Sequence, residues 1–467
     1  MKMWSGRFRQ PLDAEFERWQ RSFPFDQRLL AQEVAASRVH AQAMQKAGMI
    51  SASELAALTE GLAQIVEKAA ASPAFLEDES AEDVHHFVEK KLVELIGETG
   101  YKLHSGRSRN EQIATDLRLY VVHAIDQARG QLGELIGVLL ARAEQAGGAA
   151  MPAYTHLQRA EPVLVAHWLL AYAEMLFRDL ERLADCRKRA NQCPLGSGAV
   201  AGATLSLDRH TMAEQLGFEA PTNNSLDATT DRDFVLEFVH TLLLLSLHLS
   251  RWAEEMLLFS TQEYRFVVLP EKYSTGSSAM PQKKNPDLLE LARGKAGRIT
   301  GDLNALVLIL KGLPLAYNKD LQETQEPLFD AAETILTLLP LVTGWMREVD
   351  FNYTRMQEAA QSGWLNAWAA ATYLAERGVP FRLAHEKIGN AVRLCLEKGC
   401  ELQELSLQEL RQFSPEFEQD IYARLSVESV LALHDVHGGT APARVKQAIA
   451  EGKRKLAGVH EEAHAHA

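Results

Sequence analysis

The 467-residue sequence is poor in cysteine and has no excess of positive charge. Its four cysteines are too few for a disulfide scaffold, and none forms a CxxC pair of the kind that binds zinc or exchanges thiols. Lysine and arginine total 49 against 62 aspartates and glutamates, and the net charge of −13 argues against a nucleic-acid-binding protein. An anionic small molecule is not excluded, because a few local cations or backbone N–H groups suffice to bind it.

Targeting and membrane-spanning signals are also missing. The segment Met1–Phe8 has no apolar core of the kind that a signal peptide needs. The most apolar run, Val235–Leu249, is interrupted by polar residues and is shorter than the ~20 apolar residues that span a bilayer. We therefore expect a cytoplasmic protein with no membrane segment, and the hydrophobic content of 46% is typical of a globular chain.

Motifs for common cofactors do not occur. The sequence has no GxxxxGK[ST] or HExxH segment, and Gly196-Ser197-Gly198 lacks the spacing and the preceding strand of a dinucleotide-binding loop. His85 and His86 follow Asp83, but no matching ligand cluster accompanies them. The sequence therefore predicts neither a cofactor nor a metal ion.

Apolar residues recur at steps of three or four along most of the chain. This period predicts helices over 110–140, 165–183 and 234–259. Pro162 is expected in the first turn of the second helix, and a further long helix is expected after Asn285-Pro286-Asp287. Strand signals are limited to Arg265–Leu269. We expect an all-α fold built on a bundle of long helices.

The long helices also suggest how the chain is organised. Leu242–Leu245 is apolar on nearly every helix face, which requires burial on all sides. We expect other subunits to cover this helix, and the alternative is a core helix within one large domain. Breaks in the pattern suggest three domains, over residues 1–104, 105–350 and 351–467.

The strongest break in the helical pattern is the 17-residue segment Pro270–Pro286, between two long helices. Connections of this length in compact domains are usually functional or disordered. Small residues around Ser277 expose backbone N–H groups that suit a carboxylate or an oxyanion, while Lys283 adds a cation and Asn285 an amide donor. The alternative for this segment is an exposed linker.

Further breaks carry polar residues of interest. Residues 103–112 place Arg109 and Asn110 at the start of a long helix, where an anion is favoured or the arginines are simply solvated. His156 lies among Thr155 and other polar residues, so it is a candidate acid or base, although most lone loop histidines only make a structural hydrogen bond. Residues 223–233 and 317–323 are also polar breaks, and helix capping explains much of the former.

Together these segments carry a resemblance to a known family. Gly276–Pro286 is similar to the signature loop of the fumarase/aspartase superfamily, and within it the chain resembles the argininosuccinate lyase family. The matching segments span nearly the whole chain: Trp4–Phe8, Glu82–His85, Ser105–Asn110, Tyr154–Gln158, Asn224–Asp227, Asp231–Asp233, Ala316–Asp320 and Gly438–Pro442.

The resemblance implies an elongated three-domain subunit whose long helices form a 20-helix core in a homotetramer. It implies active sites that are each shared by three subunits. The reaction implied is the reversible β-elimination of argininosuccinate to arginine and fumarate, a step of arginine biosynthesis, through a carbanion and without metal or organic cofactor.

The resemblance also implies residue roles. Ser277 is the base, Lys283 and Asn285 hold the carboxylate on which charge develops, and His156 acts in acid catalysis with Glu290 as its partner. Substrate contacts fall on Ser22, Asn110, Thr155, Tyr317 and Gln322, while Arg109 and Arg232 are anion-binding or structural partners and His85 lies behind the site.

Two positions depart from the family pattern, and two alternatives stay open. Ser5 stands where glycine is usual, a minor matter for the backbone. Gln325 stands where the family commonly has lysine, so one cationic contact is lost or supplied elsewhere. Adenylosuccinate lyase, fumarase or aspartase would share the same loop. A non-catalytic, crystallin-like relative is the alternative of a different class.

Overall fold

The computed structural model describes residues 10–465, with side chains up to residue 459; the Trp4–Phe8 motif lies outside this range. Its N-terminal part consists of the helices α1 (Ala14–Trp19), α2 (Phe23–Asp26), α3 (Leu30–Lys46), α4 (Ala52–Ala71), α5 (Val84–Ile96) and α6 (Thr99–Lys102). Asp83 fixes the start of α5, because its side chain accepts a hydrogen bond from the backbone N–H of His86.

Five long helices follow. They are α7 (Arg109–Ala146), α8 (Val165–Ala190), α11 (Asp233–Ser260), α12 (Asp287–Leu310) and α13 (Gln325–Glu348), and the short helices α9 (Arg209–Gln215) and α10 (Ser225–Thr230) lie between the second and third. The helical period places α7, α8, α11 and α12 correctly, whereas α13 was not predicted. The predicted all-α class is confirmed.

The longest strands lie where no strand was predicted. β1 (Ala150–Thr155) and β2 (Gln158–Leu164) form an antiparallel hairpin, and α8 begins only at Val165. The expectation that Pro162 opens this helix is wrong, because Pro162 pairs with Pro152 across the hairpin. Both strands of a two-stranded hairpin are edge strands, where the missing N–H of a proline is tolerated.

The other strands are two residues long. β3 (Gln192–Cys193) pairs with β4 (Ala220–Pro221), and β5 (Val267–Val268) pairs with β8 (Asp350–Phe351). The predicted strand signal at Arg265–Leu269 thus corresponds to β5. β6 (Thr275–Gly276) pairs antiparallel with β7 (Lys284–Asn285) within the loop between α11 and α12.

The C-terminal part contains α14 (Tyr353–Ala360), α15 (Ala367–Glu376), α16 (Phe381–Lys398), α17 (Leu407–Phe413), α18 (Ile421–Arg424), α19 (Val427–Leu433) and α20 (Pro442–Ala465). Helices α15 to α18 enclose a core of buried apolar side chains that includes Leu374, Ile388 and Phe417. Short 3₁₀ turns occur at Gln27–Leu29, Pro73–Leu76, Glu271–Tyr273, Lys319–Thr324 and Leu402–Glu404.

The chain packs as two compact units that do not follow the order of the sequence. The first comprises the residues up to Gln127, Glu181–Leu243 and Gly297–Ile335, and the second comprises Ala128–Leu180, Leu244–Ala296 and Leu336 onward. Each long helix therefore contributes one part to each unit. The division into three domains stays a prediction.

Two segments of the described chain, Asp233–Ser260 and Lys319–Glu348, are long and apolar enough to span a membrane by length and composition. The apolar run Val235–Leu249 within the first of them is shorter than a bilayer span, so this segment was not predicted to pass the test. About half of its most apolar window is buried within the chain, as in the core helix of a soluble protein. Leu242, Leu245 and Leu249 are buried, whereas Leu247 is exposed.

Candidate active site

Six predicted substrate-binding residues line one pocket in the first unit. They are Ser22, His85, Arg109, Asn110, Tyr317 and Gln322, contributed by the starts of α2, α5 and α7 and by the turn Lys319–Thr324 with its preceding segment. The open space in this pocket is about 510 Å³. Sequence segments up to 300 residues apart, at Ser22 and Gln322, therefore meet at one place.

Ser22 is held at the pocket by a buried carboxyl group. Its Oγ donates to Asp26 Oδ2 over 2.6 Å, and the backbone N–H of Val84 donates to Asp26 Oδ1 over 3.0 Å. Burial raises the pKa of Asp26 to about 7, with the charge of Asp83 acting in the same direction. Asp26 thus ties the start of α2 to the start of α5 behind the pocket.

The cations of the pocket are paired with acids. Arg109 Nη1 lies 2.9 Å from Asp83 Oδ2, and Lys319 Nζ lies 3.7 Å from Glu82 Oε1. The remaining nitrogens of Arg109, Nε and Nη2, are buried and have no hydrogen-bond partner among the described residues. Arg109 therefore keeps donor capacity for an anion while its charge is partly compensated.

His85 forms the buried wall of the pocket. Its Nδ1 lies 2.8 Å from Glu33 Oε2, and its side chain is almost completely buried. Burial alone would lower the pKa of His85, but the charge of Glu33 and the hydrogen bond to it raise the pKa of His85 to about 9. The Nε2 atom of the ring has no partner in the described part of the chain.

The half-buried Tyr317 and the buried Arg232 form a second polar group in this unit. Burial raises the pKa of the Tyr317 phenol, opposed by the nearby charge of Arg232, and burial lowers the pKa of Arg232 to about 10. Arg232 Nη1 donates to the backbone oxygen of Asp231 over 2.8 Å. Arg232 does not line the pocket, so the structure favours its structural role. Gln322 Nε2 donates to the backbone oxygen of Gln20 over 3.1 Å.

The predicted catalytic loop lies in the second unit. Ser277 follows β6, and its Oγ accepts hydrogen bonds from the backbone N–H groups of Ala279 and Met280 over 3.3 and 3.1 Å. Asn285 Nδ2 donates to the Gly276 oxygen over 3.3 Å. Lys283 is exposed, so its ammonium is available to a ligand.

The base of this loop is anchored to helix α12. Both the backbone N–H and the Oγ1 of Thr275 donate to Asp287 Oδ2, over 3.0 and 2.7 Å. The hydrogen bond from the Thr275 hydroxyl lowers the pKa of Asp287, so this carboxylate is ionised at neutral pH. The loop is thus a hairpin with a fixed base rather than an unstructured linker.

Thr155 and His156 lie at the turn of the β1–β2 hairpin in the second unit, and both are exposed. His156 adopts φ of 54°, in the left-handed region. Glu290, in the first turn of α12, is also exposed. No hydrogen bond or ion pair joins His156 to Glu290 in the described chain, so the predicted pairing of these two residues stays a prediction.

Sequence reasoning missed the buried acids of the first unit. Asp26, Glu33 and Asp116 are each about 99% or more buried, and the first lines the pocket. Donor atoms of Glu33, His85 and Asp116 lie within 4.8 Å of one another, close enough to share a metal ion. The cluster already contains the positive charges of His85 and Arg107, however, so the donor set does not require one.

Gln325 also lines the pocket. Its side chain is 3% exposed, and its Oε1 atom has no hydrogen-bond partner among the described residues. The position at which the sequence departs from the family pattern is therefore part of the site, where it offers a neutral amide.

Comparison with known proteins agrees with this picture. A family model described as "Lyase" matches residues 6–301, and one described as "Argininosuccinate lyase C-terminal" matches residues 364–432. Argininosuccinate lyase from Koribacter versatilis is 58% identical over 464 residues, covering 99% of both chains. The protein of that name from Acidobacterium capsulatum is 58% identical, covering 97% of this chain and 95% of its own.

The fold is shared with a solved lyase. The crystal structure of EDDS lyase in complex with formate superposes with a TM-score of 0.84 at 25% identity, covering 98% of this chain and 93% of that one. The sequence resemblance is therefore confirmed along the whole chain, and the chain belongs to the argininosuccinate lyase family of the fumarase/aspartase superfamily.

Proposed function

We propose that the chain cleaves argininosuccinate into arginine and fumarate by β-elimination, with Ser277 as the base. The observation that carries this proposal is the pair of backbone N–H groups that donate to Ser277 Oγ. A serine hydroxyl is too weak a base at neutral pH, and donors already aimed at its oxygen stabilise the alkoxide that the reaction needs.

The first step breaks a C–H bond. The Ser277 alkoxide takes a proton from the succinyl carbon next to a carboxylate, and the electron pair passes into that carboxylate as the carbanion forms. Lys283 and Asn285, on the same hairpin as Ser277, supply a cation and an amide donor to the developing charge.

The second step breaks the C–N bond. The carbanion electrons form the double bond of fumarate, and the guanidino nitrogen leaves with the C–N electron pair. This nitrogen needs a proton, which His156 supplies with Glu290 as its carboxylate partner. The proton that Ser277 accepted returns to solvent, so the sum is argininosuccinate to arginine plus fumarate.

The pocket of the first unit binds the remainder of the substrate. Argininosuccinate carries both carboxylates and a guanidinium, and the pocket offers the donors Asn110 and Arg109, the Ser22 oxygen as an acceptor, and acids. Tyr317 and Gln322, which line the same pocket, complete the contacts. Each charged group of the substrate thus has a partner of complementary character.

We further propose that the active unit is a homotetramer in which three subunits build each site. In the single chain, His156, Lys283 and Glu290 are all exposed, although acid–base chemistry of this kind requires a site that excludes water. The long helices also leave large apolar side chains exposed. Leu247 is 45% exposed, Leu291 62% and Leu308 70%. Association of subunits would exclude water from the exposed catalytic residues and would bury the exposed apolar side chains.

Incubation of purified protein with argininosuccinate tests the function directly. Fumarate should appear by its ultraviolet absorbance, with arginine in equal amount. Adenylosuccinate, aspartate and malate serve as parallel substrates for the other superfamily members, since each of them would release fumarate. Fumarate released only from adenylosuccinate would overturn the proposal, and a folded tetramer with no turnover would favour a non-catalytic relative.

Replacement of the base tests the mechanism. Ser277→Ala removes the proton acceptor, so kcat should fall by roughly 10³-fold or more while the helical fold persists. Circular dichroism and size-exclusion chromatography check the fold. Activity near that of the unchanged protein would remove Ser277 from the mechanism.

A further inference from the structure

A buried polar cluster lies directly behind the pocket of the first unit. Glu33 on α3, His85 on α5 and Asp116 on α7 are at most 5% exposed. His85 Nδ1 lies 2.8 Å from Glu33 Oε2 and 3.7 Å from Asp116 Oδ2. One imidazole therefore faces two carboxyl groups in a space without water access.

The surroundings identify which carboxyl group is ionised. Glu33 accepts a hydrogen bond from Ser37 Oγ over 2.7 Å and lies 3.8 Å from Arg107 Nη1. Gln112 Nε2 also donates to it, over 3.3 Å. Both oxygens of Asp116 are buried and lack a hydrogen-bond partner among the described residues.

Two neighbouring carboxylates in a buried site cannot both ionise at low cost. Burial and the charge of Glu33 raise the pKa of Asp116, whereas His85 and Arg107 lower the pKa of Glu33 against the effect of burial. Glu33 is thus the anion that faces His85, and Asp116 is a neutral acid beside them.

The other edge of the imidazole ring is unused. Nε2 is buried and has no hydrogen-bond partner in the described part of the chain, and His85 lines the pocket together with Ser22 and Asn110. A charged imidazole carries a proton on each nitrogen. A donor without a partner in a buried wall is costly unless a ligand accepts from it.

We propose that Glu33 holds His85 as an imidazolium, whose Nε2–H donates to a carboxylate of the bound substrate. Glu33 is then a positioning residue, since it acts through His85. This inference rests on the proposed function for the identity of the substrate, but its geometry requires only a ligand with a carboxylate. It also supplies a cation to a pocket where Gln325 offers none.

Binding of simple carboxylates tests the proposal without turnover. Succinate and arginine carry the carboxylates of the two halves of the substrate, and their affinities are measured separately by isothermal titration calorimetry on the full-length protein. Glu33→Gln keeps the shape and removes the charge. It should weaken at least one of the two ligands by roughly tenfold or more, because a hydrogen bond from a charged donor is lost.

Asp116→Asn is the matched control. It makes the same change of carboxyl to amide in the same cluster, but at a group that is already neutral. The affinities for both ligands should stay within about twofold of the unchanged protein, as for a substitution without loss of charge. Equal losses in both variants would show a merely structural cluster and overturn the proposal.

The pH dependence gives a second readout. With its pKa near 9, His85 is charged at neutral pH, and carboxylate affinity should fall as the pH rises through about 9. In Glu33→Gln this fall should move to lower pH, since the anion that stabilises the imidazolium is gone. Asp26, Asp83, His104, Arg107 and Asp116 also surround His85 and are unchanged in sequence in this comparison. Loss of the Glu33 charge lowers the pKa of Asp116, but Asp116 Oδ2 is farther from His85 Nδ1, at 3.7 Å against 2.8 Å for Glu33 Oε2, so its compensation is partial.

A further variant covers the case in which Glu33→Gln does not fold. His85→Gln keeps an amide donor but has no charge, so it should bind the affected ligand roughly tenfold more weakly and lose the alkaline fall in affinity. Unchanged affinity for both ligands in either folded variant would overturn the proposal. Absence of argininosuccinate cleavage by the unchanged protein would instead refute the proposed function. The binding results would still test the role of Glu33 and His85, because they do not depend on turnover.

Discussion

At the scale of single residues, buried carboxyl groups organise the pocket. Asp26 is 1% exposed and joins Ser22 Oγ to the backbone N–H of Val84. In the unfolded chain this carboxyl group ionises near its ordinary pKa of 3.8, while in the folded protein its pKa is raised to about 7 by burial and by Asp83. Folding therefore favours the protonated form of Asp26.

This raised pKa predicts how stability changes with pH. Between about pH 4 and 7 the folded state holds a proton that the unfolded state has lost, so Asp26 makes stability fall as the pH rises, by at most about 4 kcal/mol. Asp26→Asn imitates the protonated form and removes this dependence. The Tm of the variant minus the Tm of the unchanged protein should therefore become more positive from pH 5 to pH 8.

Thermal unfolding across this pH range checks the prediction. Asp13→Asn is a suitable control, because Asp13 is an exposed cap of α1 that accepts from two backbone N–H groups. A constant Tm difference for Asp26→Asn at every pH would show that Asp26 is not protonated in the folded protein.

The sequence identifies exposed motif residues more readily than buried polar ones. Ser277, Lys283 and Asn285 stand out because small and polar residues interrupt a helical pattern. Glu33 lies inside a continuous helix, where a glutamate is usually a solvated residue, and only the packing of three helices reveals that it is buried. The helical period therefore could not predict the network of buried acids behind the pocket.

At the scale of elements, long helices could be predicted and the β1–β2 hairpin could not. The helical period persists over many turns in α7 and α11, so chance agreement is small. The hairpin contains two prolines, Pro152 and Pro162, which pair with each other. Its strands also lack the regular alternation of buried and exposed residues by which a strand is recognised in a sequence. A proline beside a helical segment predicts a helix start, because the first turn is where proline is over-represented.

The anchoring of the β6–β7 hairpin predicts the effect of a substitution at its base. Thr275→Val keeps the shape of the side chain and the backbone hydrogen bond but removes the hydroxyl that donates to Asp287. Losing a hydrogen bond to a charged group costs about 1.5–3 kcal/mol at most, so kcat/KM should fall roughly tenfold as the hairpin opens more often. Steady-state kinetics measure this loss, and hydrogen exchange of the peptide covering 274–286 should become faster.

Thr211→Val provides the matched control for this change. Thr211 also donates through both its backbone N–H and its Oγ1 to one aspartate, Asp208, at the start of α9. The same hydrogen bond is lost there, outside the loop, so exchange should accelerate only near α9 and kcat/KM should be nearly unchanged. Similar kinetic losses in both variants would indicate a general effect on stability rather than control of the hairpin.

At the scale of the whole molecule, the predicted site residues are divided between the two units. The pocket of the first unit is lined by six of the predicted substrate-binding residues, while the second unit carries the exposed His156 and the Ser277 hairpin. The family resemblance implies sites shared by several subunits, which composition and periodicity could not predict, since neither shows which surfaces of different copies meet. The apolar residues left exposed on α11 and α12 support the proposal that copies of the chain associate, because large exposed apolar patches mark interaction surfaces.

Subunit mixing tests whether one site uses several chains. His156→Asn and Ser277→Ala should each be inactive alone. If the two residues reach a site from different subunits, random hybrids place an intact His156 opposite an intact Ser277 in about a quarter of sites, so mixing should restore up to about that share of activity.

Ser277 and Lys283 lie on one hairpin of the same chain, so mixing Ser277→Ala with Lys283→Ala should restore none. Subunit exchange is confirmed by mass spectrometry of differently tagged chains. Confirmed exchange without recovery in the first mixture would mean that each site takes both residues from one chain.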